Sequence, residues 1–230
     1  MPDRAEEYKR AAASTAVERY VESSMTVGLG TGSTAFWVVR KISESLSTGE
    51  LEDVRGIPTS RRTADQAQEE GIPLVSLSEA RPDLTIDGTD EVSPELNLIK
   101  GLGGALLREK IVAASGDGLI VVADESKLVD TLGRGPLPVE VEPFGWEATV
   151  EALSALECEP TLRMDGPEPF VTDGGHLTVD CVFTSIPDPA ALEEEIKRIP
   201  GALETGLFVG LCRAAVIARE DGTKIMETQV

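Results

Sequence analysis

The residues of this chain best suited to chemistry are a lysine, Lys100, and a carboxylate, Glu109, on either side of the run Gly101-Leu102-Gly103-Gly104. The segment 97–104 leads into a helix expected over residues 105–114, so Lys100 stands at its entrance, where an ammonium can stabilise an oxyanion. At about 100° per residue, Glu109 falls beside Ala105, Leu106, Val112 and Ala113, whereas Arg108 and Lys110 point elsewhere. A carboxylate on an apolar stripe is desolvated. Desolvation raises its pKa toward the range of a general base, the tuning that proton abstraction next to a carbonyl requires. A glutamate at the edge of the stripe that reaches back to solvent is the plainer account of the same pattern.

Two further segments add anion-binding and acidic groups. Residues 28–35, GLGTGSTA, lie between an expected strand and an expected helix, where unpaired amide groups and the helix dipole favour an anion. The glycines, Gly32 among them, let the backbone approach closely, and Thr31, Ser33 and Thr34 add hydroxyl donors suited to a phosphate monoester. A dinucleotide fingerprint, Gly30-x-Gly32-x-x-Ala35, and a purely structural turn are the competing readings; no acidic ribose ligand follows a second strand to support the former. Asp87-Gly88-Thr89-Asp90-Glu91 follows the β-run 84–86, and its two aspartates can turn toward one pocket. A solvated Asp-Gly turn or a Mg²⁺ site on Asp87, Asp90 and Glu91 are the alternatives. The spacing is not that of a calcium loop, and the single histidine, His176, lies in a remote hairpin and reads as a turn residue. Lys127 follows the apolar run 119–123 and so also falls at a strand's carboxyl end, unless it is an ordinary solvated lysine. The pattern places a phosphate cradle, two aspartates, a glutamate and two lysines at one edge of one sheet. It contains no nucleophile paired with a base, and it suits enolisation, in which one base shuttles a proton while cations hold the enediolate oxygen.

The elements that must position these groups alternate. Helices are expected over 4–21, 35–46, 63–70 and 105–114, and strands at 26–27, 54–57, 74–75, 84–86 and 119–123. This alternation predicts an α/β fold with a mostly parallel, Rossmann-like sheet, in which ligands sit beyond the strands' carboxyl ends. Gly133, Gly135, Pro136 and Pro138 mark a boundary. Beyond it, strands at 137–141, 161–164 and 202–208, a hairpin closed by Asp173-Gly174-Gly175, and helices at 147–156 and 190–199 read as a second, smaller ferredoxin-like α+β domain. The run 214–218 is an apolar strand expected to return to the first sheet. The expected domains are therefore 1–132 plus 209–230, and 133–208.

Composition narrows the function classes. A formal net charge of −20, spread along the chain, opposes nucleic acid and anionic membrane as partners. Lysines number seven against fourteen arginines; this acidic, lysine-poor composition resembles that of proteins from halophilic archaea. The N-terminal residues lack the apolar core of a signal peptide, and no apolar run is long enough to span a bilayer, so a soluble, cytoplasmic protein is expected. Cys158, Cys181 and Cys212 fit neither a disulfide framework nor a clustered zinc site.

Taken together, GLGTGSTA, IDGTDEV, LIKGLGGALLREKIVA, ADESK and LGRGPLPVEVEPFGW resemble, in the same order and at compatible spacings, the ribose-5-phosphate isomerases of the A type. The resemblance implies interconversion of D-ribose 5-phosphate and D-ribulose 5-phosphate in the non-oxidative branch of the pentose phosphate pathway, without metal or organic cofactor. It implies that Glu109 is the proton acceptor between C2 and C1, that Asp87 aids ring opening, and that Lys100 stabilises the enediolate. It places substrate contacts on Thr31, Gly32, Ser33 and Thr34, on Asp87, Gly88, Thr89 and Asp90, on Lys100, Gly101, Leu102 and Gly103, and on Lys127. A phosphate contact in the first helix falls on Arg10 or Lys9. Leu102 stands where a glycine is common in the family, and Thr89 where alanine is common. The same resemblance implies a homodimer or homotetramer and a Rossmann-like domain joined to a ferredoxin-like one. The alternative function is a sugar-phosphate-binding effector domain without turnover, which would need a DNA-reading module that the acidic chain does not display. Hydrolase or deaminase chemistry on a phosphosugar is a further reading.

Overall fold

The computed structural model describes residues 4–228; the outermost ends of the expected sheet domain, 1–3 and 229–230, lie outside the described residues. The chain divides into two compact units. One takes the described residues of Met1–Thr89, Arg108–Lys127 and Gly210–Val230, and the other takes Asp90–Leu107 and Leu128–Val209. This division differs from the expected one in assigning 90–107, 128–132 and Val209 to the smaller unit.

Elements are numbered along the chain. The first unit contains α1 (Arg4–Tyr20), β1 (Thr26–Leu29), α2 (Ala35–Thr48), β2 (Arg55–Pro58), α3 (Arg61–Glu69), β3 (Leu84–Gly88), most of α4 (Leu106–Ser115), β6 (Leu119–Asp124), β14 (Cys212–Arg219) and β15 (Gly222–Glu227). Its six-stranded sheet has the order β15-β14-β6-β3-β1-β2. All pairings are parallel except that of the edge strand β15. β1 is buried along its whole length and β6 from Leu119 to Ala123, which is why the sequence shows continuous apolar runs there and no alternation. Ala12, Ala13, Ala16 and Val17 of α1 and Val38, Val39 and Ile42 of α2 pack with Val27, Leu29, Ile86, Ile120, Val122 and Val216 of the strands. Each large aliphatic side chain buried in this way contributes roughly 1.5–3 kcal/mol. The five parallel strands run β2-β1-β3-β6-β14, so the order reverses between β1 and β3, the place where open α/β sheets bind ligands. The expected strand at 74–75 is reduced to a single bridge, Gly56 to Leu74.

The second unit contains β4 (Glu91–Val92), β5 (Leu98–Ile99), β7 (Leu137–Val141), α5 (Trp146–Ser154), β8 (Glu159–Leu162), β9 (Met164–Asp165), β10 (Glu168–Pro169), β11 (Leu177–Val182), α6 (Pro189–Lys197), β12 (Ala202–Thr205) and β13 (Leu207–Phe208). β7, α5, β8, β11, α6 and β12 give the expected strand-helix-strand-strand-helix-strand order. They form an antiparallel sheet, β12-β7-β11-β8, of ferredoxin-like type. Its core joins Leu137, Val139 and Val141 of β7 and Val179 and Cys181 of β11 to Leu153 of α5 and Ile196 of α6. The expected strand 202–208 is broken at Gly206, whose amide donates to Pro138 O at 2.7 Å. Beyond the break, β13 turns away to pair with β5, and β5 with β4, in a separate three-stranded sheet. That sheet holds 90–107 in this unit.

Candidate active site

Hydrogen bonds at the carboxyl ends of β1 and β3 determine the shape of the glycine loop. The amides of Thr31 and Gly88 both donate to Asp87 Oδ1, at 3.0 and 2.7 Å, so one carboxylate oxygen of Asp87 joins the two strand ends. The Thr31 hydroxyl, expected to face a ligand, points inward instead. It meets Thr59, Ser60 and Thr63 at 2.7, 2.8 and 3.1 Å, while Thr63 Oγ1 donates to Gly30 O and Thr59 Oγ1 to Leu29 O. Thr31 is therefore a buried anchor of the loop. Thr59, Ser60 and Thr63 are residues that the sequence reading passed over; Ser60 accepting from the Thr63 amide is an ordinary helix cap, and that signal was available.

Past this anchor the loop opens outward. Gly32 has φ +127 and Ser33 is exposed. Thr34 precedes α2 without capping it by its side chain, and the first turn of α2 contains no acidic residue. Amides at such a helix start, together with the hydroxyls of Ser33 and Thr34, are groups able to donate to a compact anion. The close strand contact beneath it explains Gly30: a Cβ there would lie 2.6 Å from the Asp87 Cα and nearer still to its carboxylate. Gly30→Ala is expected to cost about 1–3 kcal/mol of stability, read as a lower urea midpoint; an unchanged midpoint would show that the strand ends part without penalty.

On α4, Glu109 is 3% exposed, beside the buried Ala105, Leu106, Val112 and Ala113, while Ile111 faces solvent. The apolar-stripe reading of Glu109 therefore holds, and the reading in which it reaches back to solvent does not. Val112 packs over Gly28 of β1, where a Cβ would come within 2.8 Å of it. Lys110, expected to point away from the stripe, is itself 9% exposed: it lies four residues after Leu106 and three before Ala113, both buried, so the buried face of α4 is wider than the stripe around Glu109. Lys127 ends a short 3₁₀ turn, Glu125–Lys127, at the carboxyl end of β6, and is half-buried. Arg10 is exposed, with its guanidinium carbon 5.8 Å from the Trp37 ring centroid; Lys9 instead pairs with Glu6 at 2.6 Å.

The second unit shapes the other glycine loop. Lys100 is 3% exposed; its amide donates to Gly206 O at 2.8 Å and its ammonium lies 5.4 Å from the Phe208 ring centroid. The amide of Asp90 donates to Ile99 O at 2.9 Å, and Asp90 Oδ2 accepts from the Leu102 amide at 3.0 Å. Gly101 and Gly104 have φ of +108 and +79, which explains glycine at both. Leu102 lies outside the positive-φ region and is 48% exposed, so the loop accommodates a leucine there without backbone strain.

Three carboxylates weighed as a magnesium site are each engaged by backbone amides. Asp87 and Asp90 are held as described, and Glu91 accepts from Gly133 at 2.8 Å and Gly135 at 2.6 Å. Among the described residues, no group of three or more His, Cys, Asp or Glu is disposed to hold a metal. His176 is a turn residue, with Nδ1 2.8 Å from Glu140 Oε1. Among the described residues no helix is long and apolar enough to cross a membrane.

The family described as Ribose 5-phosphate isomerase A (phosphoriboisomerase A) matches this chain over residues 55–222. A ribose-5-phosphate isomerase A from Gloeobacter violaceus is 56% identical over 221 residues, covering 95% of each chain. Among solved structures, a ribose 5-phosphate isomerase from Plasmodium falciparum superposes with a TM-score of 0.94 at 42% identity, covering 98% of this chain and 100% of its own. A D-ribose-5-phosphate isomerase in complex with phospho-erythronic acid superposes with a TM-score of 0.94 at 40% identity, covering 97% of this chain and 99% of its own.

Proposed function

The chain belongs to the ribose 5-phosphate isomerase A family, and from that premise we propose that Glu109 carries the proton between C2 and C1 of the open-chain sugar. The protein is an aldose–ketose isomerase that interconverts D-ribose 5-phosphate and D-ribulose 5-phosphate. The observation that supports Glu109 as the base is its burial on the apolar stripe of α4. A carboxylate placed in that setting has the residue type of a general base and is screened from bulk water.

In the proposed sequence Asp87 aids opening of the furanose ring, accepting the anomeric hydroxyl proton as the ring oxygen gains one. Glu109 then removes the hydrogen from C2, leaving an enediolate whose negative oxygen is stabilised by the Lys100 ammonium. Return of the proton to C1, with a proton passing from O2 to O1, completes the ketose. The phosphate is held by the outward part of the first loop, Gly32, Ser33 and Thr34, whose open helix start supports that role. Thr31 contributes by anchoring that loop. The proposed substrate contacts also include Gly88, Thr89, Asp90, Gly101, Leu102, Gly103 and Lys127. A cytoplasmic homodimer or homotetramer belongs to the same proposal, and light scattering on the purified protein decides the assembly.

The direct test incubates ribose 5-phosphate with the protein in deuterated water. Ribulose 5-phosphate carrying deuterium at C1 is the expected product, because a base that exchanges its proton with solvent labels that carbon. A protein that binds the sugar phosphate and forms no product would be a sensing domain instead.

A further inference from the structure

Arg163, between β8 and β9, has no part in the proton transfer above, yet its side chain is only 13% exposed and it is the hub of the second glycine loop. Its Nε donates to Asp180 Oδ2 at 2.8 Å, and its Nη2 pairs with Asp180 Oδ1, a two-pronged contact that fixes the plane of the guanidinium. Asp180 lies on β11, an interior strand of the four-stranded sheet. So anchored, the remaining prong, Nη1, donates to the carbonyls of Gly101 at 2.9 Å and Leu102 at 3.2 Å. Phe170, whose ring centroid is 5.7 Å from the guanidinium carbon and whose amide donates to Arg163 O at 2.9 Å, fills the space beside Gly104 that a Cβ would need.

The consequence follows from the planarity of the peptide bond. The peptide unit joining Gly101 to Leu102 is held at both ends, its carbonyl by Arg163 and its amide by Asp90. In the next unit the carbonyl of Leu102 points at Arg163, so the trans amide of Gly103 must point the opposite way. Gly103 is exposed, and its amide donates to no group among the described residues. We infer that Arg163 is a positioning residue for the isomerisation: it orients the Gly103 amide as a hydrogen-bond donor to a substrate oxygen and holds the loop that follows Lys100. This inference rests on the isomerase reading and extends it to a residue that touches no reacting atom.

The test uses the full chain and ribose 5-phosphate, with wild type, Arg163→Met, Arg163→Lys and Asp180→Asn assayed together. Arg163→Met is expected to lower kcat about 10- to 100-fold while KM moves less than about threefold, the result of a donor displaced by a fraction of an ångström. Arg163→Lys should recover part of the loss, and millimolar guanidinium added to Arg163→Met should restore activity, which a residue acting only through stability would not allow. Asp180→Asn keeps the guanidinium but weakens its anchor; it should lower kcat in the same direction and speed hydrogen exchange at the Leu102 amide. A kcat near wild type for folded Arg163→Met overturns the inference, as does a loss that matches the unfolded fraction seen by circular dichroism. If Arg163→Met does not fold, Asp180→Asn decides alone, and a normal kcat in it overturns the inference. Wild-type protein inactive on ribose 5-phosphate would instead overturn the isomerase reading itself, and this inference with it.

Discussion

Glu109→Gln is expected to bind ribose 5-phosphate about as well as the native protein and to lose about 10⁴-fold in kcat, the upper range for removal of a general base. Glutamine has the same shape and keeps a hydrogen-bonding oxygen, so substrate contacts made by position survive. The capacity to accept a proton from carbon does not. Because the site is 3% exposed, water cannot readily take over as base. Steady-state kinetics with parallel titration calorimetry of the sugar phosphate separates the two effects. A kcat within tenfold of native would move the base to another residue.

Lys100→Met should lower kcat/KM by about 10²–10³-fold, the loss that follows removal of one oxyanion donor. The methionine retains most of the apolar stem, so the packing beside Phe208 is largely kept. What disappears is a cation above an aromatic ring, a contact of roughly 0.5–2 kcal/mol, and the charge available to a developing enediolate. A lysine acting on the intermediate should show its loss in kcat more than in KM; one that merely attracts the phosphate dianion should show the reverse. Measuring both constants under matched ionic strength distinguishes the two, and loss confined to KM would remove the assigned role.

The parts of the fold that the sequence made legible are those in which local pattern and global placement agree. Leu119–Ala123 and Ala214–Ala218 are uninterrupted apolar runs, and both are interior strands of the parallel sheet. The alternation of elements from 137 to 205 likewise predicted the ferredoxin-like unit. β4 and β5 were not legible, because each has two residues, and the strand expected over 202–208 gave no sign of the break after which β13 pairs Leu207 with Ile99. No periodicity can arise in two residues, and a partner more than a hundred positions away leaves no local trace. The edge strand β15 escaped for a different reason: four of its six residues are exposed, and its Lys224 and Glu227 dilute the apolar signal.

The site divides in the same way. Helical periodicity located Glu109, since one stripe of one helix decides its burial. Lys110 was set outside that stripe, yet its neighbours on the helix surface, Leu106 and Ala113, are buried and it is buried with them. The inward turn of Thr31 was hidden because its hydroxyl partners come from the end of β2 and the start of α3, about thirty residues downstream. Arg163 gave no signal at all, since an arginine between two short strands resembles any surface arginine until its two carbonyl partners are seen.

The hydroxyl cluster around Thr31 has a consequence for how a small substrate is used. Four side chains and two backbone carbonyls tie down the inner half of the loop by hydrogen bonds internal to the protein. On the proposed reading, a phosphate arriving at the outer half finds donors that lose little conformational freedom on engaging it. The attraction of that remote group is then available to orient the reacting carbons, so the phosphate acts as a handle by which a five-carbon chain is aligned before any bond changes.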